Sequence, residues 1–491
     1  MRSDRARQTV LIAAAAVLLL GPAAIAFFSG GYFAPARTVA GAGAWACVVA
    51  AVVAGRPLPR GRPALLAVGG LGLLSIWTLL STLWAPIAGD AYAAGQIAVL
   101  YTGTLIAAAM VLRGRAAQWV EPVLAAGILL VIGYGLAERL LPGVLHYARS
   151  ASAEGRLEQP LTYWNAMGEL AALGFVLCAR LAGDELRAGW LRAGAAASAA
   201  PLGLGLWITF SRGALFAGLA GLVTLVVVAP RAAQLWALAR AVGFGALAVA
   251  AGAPFSAVAS LDGRLSTREH QGLIVLVALV VISSVAVVVA ARVPPPFNRE
   301  GPVRLPRHSP ALAAGLIAAG LALAIVVGAH ESSGAASLSG GAGRLTTLQS
   351  NRYAYWSVAL RAFGSDPVQG AGAGGWSVDW LRFRHVSEGA QDAHSLPLQT
   401  LAELGLVGLA LLLAFAAGVT LACRRALAVS PLAAGPVAAA VVYLAHSPLD
   451  WDWQMPAVSL VAIVLMGTLL ALAEPAPSDA RALRRSAAPR A

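Results

Sequence analysis

About fourteen apolar runs, most of roughly 18 to 22 residues, account for most of this 491-residue chain. They lie near 8–28, 35–54, 64–84, 91–112, 119–137, 161–182, 190–209, 213–229, 234–254, 271–291, 310–329, 396–422, 431–447 and 456–473. As helices, runs of this length cross a hydrocarbon core ~30 Å thick. The expected fold class is therefore all-α: a polytopic transmembrane helical bundle of about fourteen helices. A cleaved signal peptide is the competing reading of the first run. No convincing cleavage site follows it, so it is read as a retained helix. The expected organisation is an N-terminal transmembrane bundle of about eleven helices over 1–329, an external loop over 330–395, about three more helices over 396–473, and a disordered cytoplasmic tail over 474–491.

Lysine is absent and all 35 basic residues are Arg, so their placement tests the rule that positive charge stays inside. Arg2, Arg5 and Arg7, then Arg56, Arg60 and Arg62, Arg113 and Arg115, Arg180, Arg187 and Arg192, Arg231 and Arg240, Arg292 to Arg307, Arg424 and Arg425, and Arg481 to Arg490 fall on both termini and every second connection. Both termini are expected to be cytoplasmic in a multi-pass protein of the cytoplasmic membrane. The net charge of +13 then reflects anchoring to an anionic leaflet of membrane lipids, and a nucleic-acid partner is not expected. Cys47, Cys178 and Cys423 sit in or at the ends of apolar runs without pairing or metal spacing, and read as packing residues. The sequence has no phosphate-binding Gly loop with its Lys and no Cys/His cluster with zinc spacing, so neither cofactor nor metal is expected.

Twelve Arg remain for the outer side: Arg37, Arg139, Arg149, Arg156, Arg212, Arg264, Arg268, Arg344, Arg352, Arg361, Arg382 and Arg384. Five of them fall in the longest polar stretch, 344–408, where the chain departs most from its 59% hydrophobic, 12% charged composition. Water-facing chemistry is expected there. Within it, TTLQSNRYAYWSVALRA (346–362) spaces Tyr353, Trp356, Val358, Ala359 and Leu360 as one face of a helix. That pattern predicts an amphipathic helix lying on the outer membrane surface. GAGAGG (370–375) is no dinucleotide fingerprint, because no strand precedes it, and is expected to turn tightly and approach a substrate closely. His394 stands at the wet end of the next apolar run, placed for proton transfer, although a lone His is more often structural. Glu403 either orients His394 or forms a polar helix face with Gln399.

Three shorter features join this stretch. Arg156, in GRLEQPLTYWNAMGEL, is either an interfacial Arg beside belt aromatics Tyr163 and Trp164 or a ligand-facing charge. Arg212, in FSRG, sits in a tight hairpin and either snorkels to the interface or meets an anionic ligand. HSPLDWDWQMP (446–456) alternates Asp450 and Asp452 with Trp451 and Trp453, a composition that suits sugar stacking and hydroxyl binding, or an ordinary interfacial Trp pair.

Taken in order, SRG, RLTTLQSNRYAYWSVAL, DPVQGAGAGGW and AHSLPLQTLAELGLVGL resemble the O-antigen ligase and O-antigen polymerase family of integral membrane glycosyltransferases. The likeness is specific over 344–422 and supported around 155–215 and 441–456. It implies metal-independent transfer of a glycan from undecaprenyl pyrophosphate to an acceptor hydroxyl, on a lipid, a protein or another glycan, at the external face. On the matching residues it implies Arg212 and Arg352 on the pyrophosphate, Arg156 and Arg344 as further binding candidates, and His394 as base, with Gln399, Glu403 and Asp450 as further substrate-binding candidates. Ser395 stands where the family often has Asn, and the helix count exceeds that of the ligases. The chemistry fits: fixed guanidinium groups stabilise a leaving pyrophosphate, and the donor needs no nucleotide site. A transporter or flippase of lipid-linked oligosaccharides is the alternative, and would keep its essential charges in a midplane cavity where this chain has few acids apart from Glu169. A non-catalytic membrane scaffold is a third reading.

Overall fold

The computed structural model describes residues 2–293, 303–330, 343, 345 and 350–474. Before the polar stretch come α1 (Arg2–Ala26), α2 (Ala34–Val53), α3 (Arg62–Leu80), α4 (Ala88–Val111), α5 (Ala117–Leu140) and α6 (Trp164–Gly183). These are followed by α7 (Gly189–Ile208), α8 (Arg212–Val228), α9 (Ala232–Gly252), the short α10 (Ser256–Ala259), α11 (Leu265–Arg292) and α12 (Ser309–His330). The polar stretch holds α13 (Arg352–Ser365) and α14 (Gly375–Phe383), and then come α15 (Leu396–Val429), α16 (Ala434–His446) and α17 (Pro456–Ala473). The described residues are thus all-helical, and each apolar run falls on a helix. Among the described residues, ten helical segments are long and apolar enough to cross a membrane; Arg212–Val228, Ser309–Leu323 and Pro431–His446 are apolar but shorter. The tail beyond residue 474 lies outside the described residues.

Burial sorts the helices as a lipid-embedded bundle requires. The most apolar window of α6 is 94% buried and that of α11 only 17%, although α11 is the more hydrophobic. α6 is therefore central, while α11 turns Val277, Val280, Val281 and Val288 outward, a surface stable only against hydrocarbon. The helices on either side of the polar stretch share one core: α15 packs on α3, α16 on α8 and α6, and α17 on α4 and α1. Small residues permit the closest approach. A Cβ on Gly70 would lie 2.5 Å from the Phe415 nitrogen, and one on Gly418 would lie 2.3 Å from that of Ala67.

α15 is broken at Gly405, whose φ of +64° ends the first segment nine residues after Leu396. The break leaves backbone groups that lipid cannot satisfy, and the Gly-rich stretch supplies the partners. Ala371 N–H donates to the Ala402 carbonyl (3.0 Å), Gly372 N–H to Glu403 (2.8 Å), Leu406 N–H to Pro367 (2.9 Å) and Trp77 Nε1–H to Leu404 (3.1 Å). The glycines are thus needed for close approach to the protein's own backbone. A Cβ on Gly370 would sit 2.3 Å from the Glu403 carbonyl carbon and one on Gly372 2.4 Å from Ala85 Cα, so the expected role in approaching substrate is corrected. At Gly405 a Cβ would lie 2.2 Å from the Val368 oxygen. Gly405→Ala combines that clash with a left-handed φ and should cost about 2–3 kcal/mol. A thermal melt of the detergent-solubilised protein checks this, and an unchanged midpoint would show that the break is not required.

The placing of the 346–362 helix on the outer membrane surface is corrected too. α13 buries Tyr355, Trp356, Val358, Ala359 and Ala362 against α14, α15 and their flanking loops, with Trp376 and Trp380, in a second apolar cluster. Its apolar face is therefore occupied by protein rather than by the membrane surface, and 346–349 lie outside the described residues.

The bundle has two chemically distinct ends. At one, Arg113 pairs with Glu474 (2.7 Å), Arg180 with Asp184 (3.2 Å) and Arg187 with Glu121 (3.0 Å). α1 starts and α17 finishes at this end. The other end gathers the α1–α2, α5–α6 and α16–α17 connections beneath α13 and α14.

Candidate active site

At that second end lies a cavity of about 550 Å³. The turn after α1 contributes Tyr32 and Phe33, the connection into α6 contributes Arg156 and Tyr163, the start of α13 contributes Arg352 and Tyr355, and the chain before α15 contributes Glu388 to Asp392 and His394. Trp451 closes one wall.

Arg352 is the first residue of α13, where the helix dipole opposes a cation. Asp450 compensates. Its fully buried carboxylate accepts from the Arg352 guanidinium, from the Tyr163 hydroxyl (2.6 Å) and from the Trp451 N–H (2.9 Å). Asn165 Nδ2–H donates in turn to the Tyr163 oxygen (2.7 Å). Burial opposes the charge on Asp450, but Arg352, His394 and His446 outweigh it and hold the carboxyl below its ordinary range. Burial likewise opposes the charge on Arg352, and Asp450 outweighs it, so the guanidinium's pKa is raised. Burial and the adjacent Asp450 push the Tyr163 phenol well up, which keeps it a neutral donor.

Arg156 is buried with its guanidinium 3.7 Å from the Trp164 ring centroid, Nε–H donating to the Ala153 carbonyl (2.8 Å). His394 has a left-handed φ of +52° and its Nδ1 lies 2.9 Å from the Asp392 carbonyl oxygen. A carbonyl only accepts, so Nδ1 carries the proton in this bond, and in the neutral ring the lone pair is on Nε2. The ring packs between Tyr355 and Trp451, with centroids 5.0 and 6.1 Å away. Asp392 Oδ1 accepts from Gln399 Nε2–H (2.9 Å), and burial, opposed by Gln399 and His394, raises its carboxyl above the ordinary range.

Of the residues expected from sequence, Arg352, His394 and Arg156 meet at this cavity, and Asp450 supports Arg352 from behind. Gln399 and Glu403 lie deeper: Gln399 bridges Asp392 and Glu403 (3.4 Å), and Asp392, not Glu403, meets His394. Of the two roles read for Glu403, the orienting of His394 is not found, whereas the polar pairing with Gln399 is. Arg212 opens α8 behind its cap Ser211, whose Oγ accepts from Ala214 N–H (3.3 Å), and does not line the cavity among the described residues. Arg344 lies outside the described residues. In 446–456 Trp451 and Met455 line the cavity, whereas Asp450 and Asp452 are fully buried and do not. The 3₁₀ turn at Asp452–Gln454 breaks extended alternation after Asp450, and the two buried acids meet different partners.

Asp452 belongs to a separate cluster. His446 Nδ1 lies 2.5 Å from Asp452 Oδ2 and 3.2 Å from Glu169 Oε2, all three side chains wholly buried. One ligand atom from each lies within 4.8 Å of the others, a spacing that could hold a metal ion. A Cβ on Gly213 would come 2.9 Å from His446 Nε2, so Gly213 of the SRG motif packs on this imidazole.

Sequence reading missed Tyr32, Glu388 and Asp392 as site residues. Asp392 had a visible signal, standing two residues before His394, whereas Tyr32 sits in a short turn between two apolar runs with nothing to mark it. No protein-family model matches this chain, and no curated protein matches it.

The cavity therefore presents two guanidinium groups, an imidazole with a free lone pair and several aromatic faces. That set can hold an anion and a sugar while accepting a proton.

Proposed function

We propose that the chain is a membrane glycosyltransferase of the O-antigen ligase or polymerase type, moving a glycan from undecaprenyl pyrophosphate to an acceptor hydroxyl in cell-surface polysaccharide assembly. The observation that carries this reading is the convergence of Arg156 with Arg352 and His394, from the connection into α6 and from two places in the polar stretch, on one 550 Å³ cavity at the end of the bundle opposite Arg113, Arg180 and Arg187. The sorting of Arg makes that end external and both termini cytoplasmic, with about fourteen crossings. A lipid-linked donor also has a place for its tail: an apolar cleft of about 700 Å³ between α1 and α2 reaches Phe33, which lines the cavity as well.

In this reading Arg352 and Arg156 take the pyrophosphate. The acceptor oxygen bonds to the anomeric carbon while the carbon–oxygen bond to phosphate breaks, its electron pair leaving with the pyrophosphate. The hydroxyl proton passes to His394 Nε2. Asp450 and Tyr163 hold Arg352 in place through the step.

The break in α15 favours a second reading, a carrier of lipid-linked oligosaccharide, since transporters bind at broken helices. Here the break is filled by 367–373, and the void beside Glu403 is only about 50 Å³. The test is transfer in vesicles loaded with an undecaprenyl-pyrophosphate-linked glycan extract. Wild type should lengthen or transfer the glycan, and His394→Ala should be ~10²- to 10⁴-fold slower with an unchanged melting midpoint. Glycan that only changes leaflet, or a His394→Ala protein as fast as wild type, would favour the carrier.

A further inference from the structure

A second cavity, of about 660 Å³, lies against the first and shares with it Tyr32, Phe33 and the segment Gly389–Asp392. α2, α4, α14 and the start of α15 form its other walls. The partition is thin and polar: the Tyr32 hydroxyl donates to Gln391 Oε1 (2.9 Å), and Asp392 lies on both cavities while its backbone carbonyl meets His394.

The two chambers differ in charge. The first sets two guanidinium groups, Arg156 and Arg352, against Glu388 and the shared Asp392, and the guanidinium pair suits an anion; the second, among the described residues, has one, Arg37, against Asp90 and Asp392. The second is lined by Asp90, Asp392, Gln399, Gln454 and Ser377, and its Arg37 donates to the Tyr32 carbonyl (3.2 Å). A single guanidinium among carboxylates is a poor pyrophosphate site, whereas carboxylates, amides and a hydroxyl suit neutral hydroxyl groups, and Tyr32 and Phe33 add aromatic faces.

We propose that this second cavity binds the acceptor as a hydroxyl-rich glycan, with its reacting hydroxyl delivered across the Gln391–Asp392 partition to His394. The inference rests on the transferase reading and adds to it a separate acceptor chamber. In the step already described, the attacking oxygen would then come from the second chamber and the pyrophosphate would leave within the first, so the two substrates never compete for one site. Asp392 serves as the hydrogen-bond acceptor that orients the incoming hydroxyl.

Two measurements test it. In vesicle assays Ser377→Trp, which fills the second chamber, should raise the KM for acceptor glycan at least tenfold and change the donor KM less than twofold. An unchanged acceptor KM, or an equal rise in both, overturns the assignment. The second readout does not need turnover. Ser377→Cys is labelled with a membrane-impermeant maleimide, with and without glycan extract in lipid-linked and delipidated forms. Protection by both forms, or by the lipid-linked form alone, supports the chamber and tells whether sugar suffices. Protection by neither overturns it. Protection without any glycan transfer by wild type would sink the transferase reading while leaving a glycan-binding chamber in place.

Discussion

Arg352→Ala is expected to abolish glycan transfer, by at least ~10²- to 10³-fold, and to destabilise the protein by about 3–5 kcal/mol. The two losses have different origins. Activity falls because a guanidinium at the anion end of the cavity is gone. Stability falls because Asp450, wholly buried, keeps its charge and loses its counter-charge. Pairing the change with Asp450→Asn separates them: the double variant should regain most of the melting midpoint and none of the activity, since Tyr163 and Trp451 can still hydrogen-bond the amide oxygen. A folded Arg352→Ala protein transferring within tenfold of wild type would remove Arg352 from the mechanism. The clamp also has a defined pH response. The Asp450 carboxyl is held below its ordinary value of 3.8, so the stability it contributes is present above that value and is lost only as pH falls through the lower folded one. The difference in melting midpoint between wild type and Asp450→Asn should therefore be the same at pH 7 and pH 5. A difference that shrinks over this range would show that the carboxylate is not held by Arg352.

How much of this was legible in the sequence depends on the range of the interaction. The helices were legible because an apolar run long enough to span lipid has few other stable forms. The sorting of Arg was legible because each connection is local. Arg352 and His394 stood out as charges in an apolar chain. The partner of Arg352 did not, because Asp450 lies 98 residues away and no spacing rule joins them. The face of α13 was read correctly as apolar but assigned to lipid, since a helical period cannot say whether lipid or Trp376 and Trp380 will cover it. The glycines of 370–375 were read correctly as permitting close approach, but the approaching group is the backbone of α15, whose break at Gly405 has no sequence mark beyond one more glycine. Asp450 and Asp452 read alike in DWDW, yet one holds Arg352 and the other His446. A 3₁₀ turn decides which side chain goes where.

His446→Leu is expected to be the most damaging single change in the bundle interior. The imidazole stands between Asp452 and Glu169, 2.5 and 3.2 Å from their oxygens, and all three are excluded from solvent. Removing it leaves two buried carboxyl groups side by side without their counter-charge, and loss of one partner from a buried ionic group costs about 3–5 kcal/mol. The consequence reaches the cavity, because Glu169 stands one helical turn from Asn165 on α6 and Asp452 is two residues from Asp450. Loosening the cluster should therefore loosen the Tyr163–Asp450–Arg352 chain as well. His446→Leu alone should yield little monodisperse protein from detergent. Adding Glu169→Gln and Asp452→Asn removes the stranded acidic pair and should restore a folded peak, because replacing a buried ionic cluster whole is far less costly than breaking it. If the triple variant folds no better than the single one, the cluster's role is the shape of the imidazole against Gly213 rather than its charge. If His446→Leu alone melts as wild type does, the carboxylates are held by other groups and the cluster does not staple the α16–α17 connection to α6.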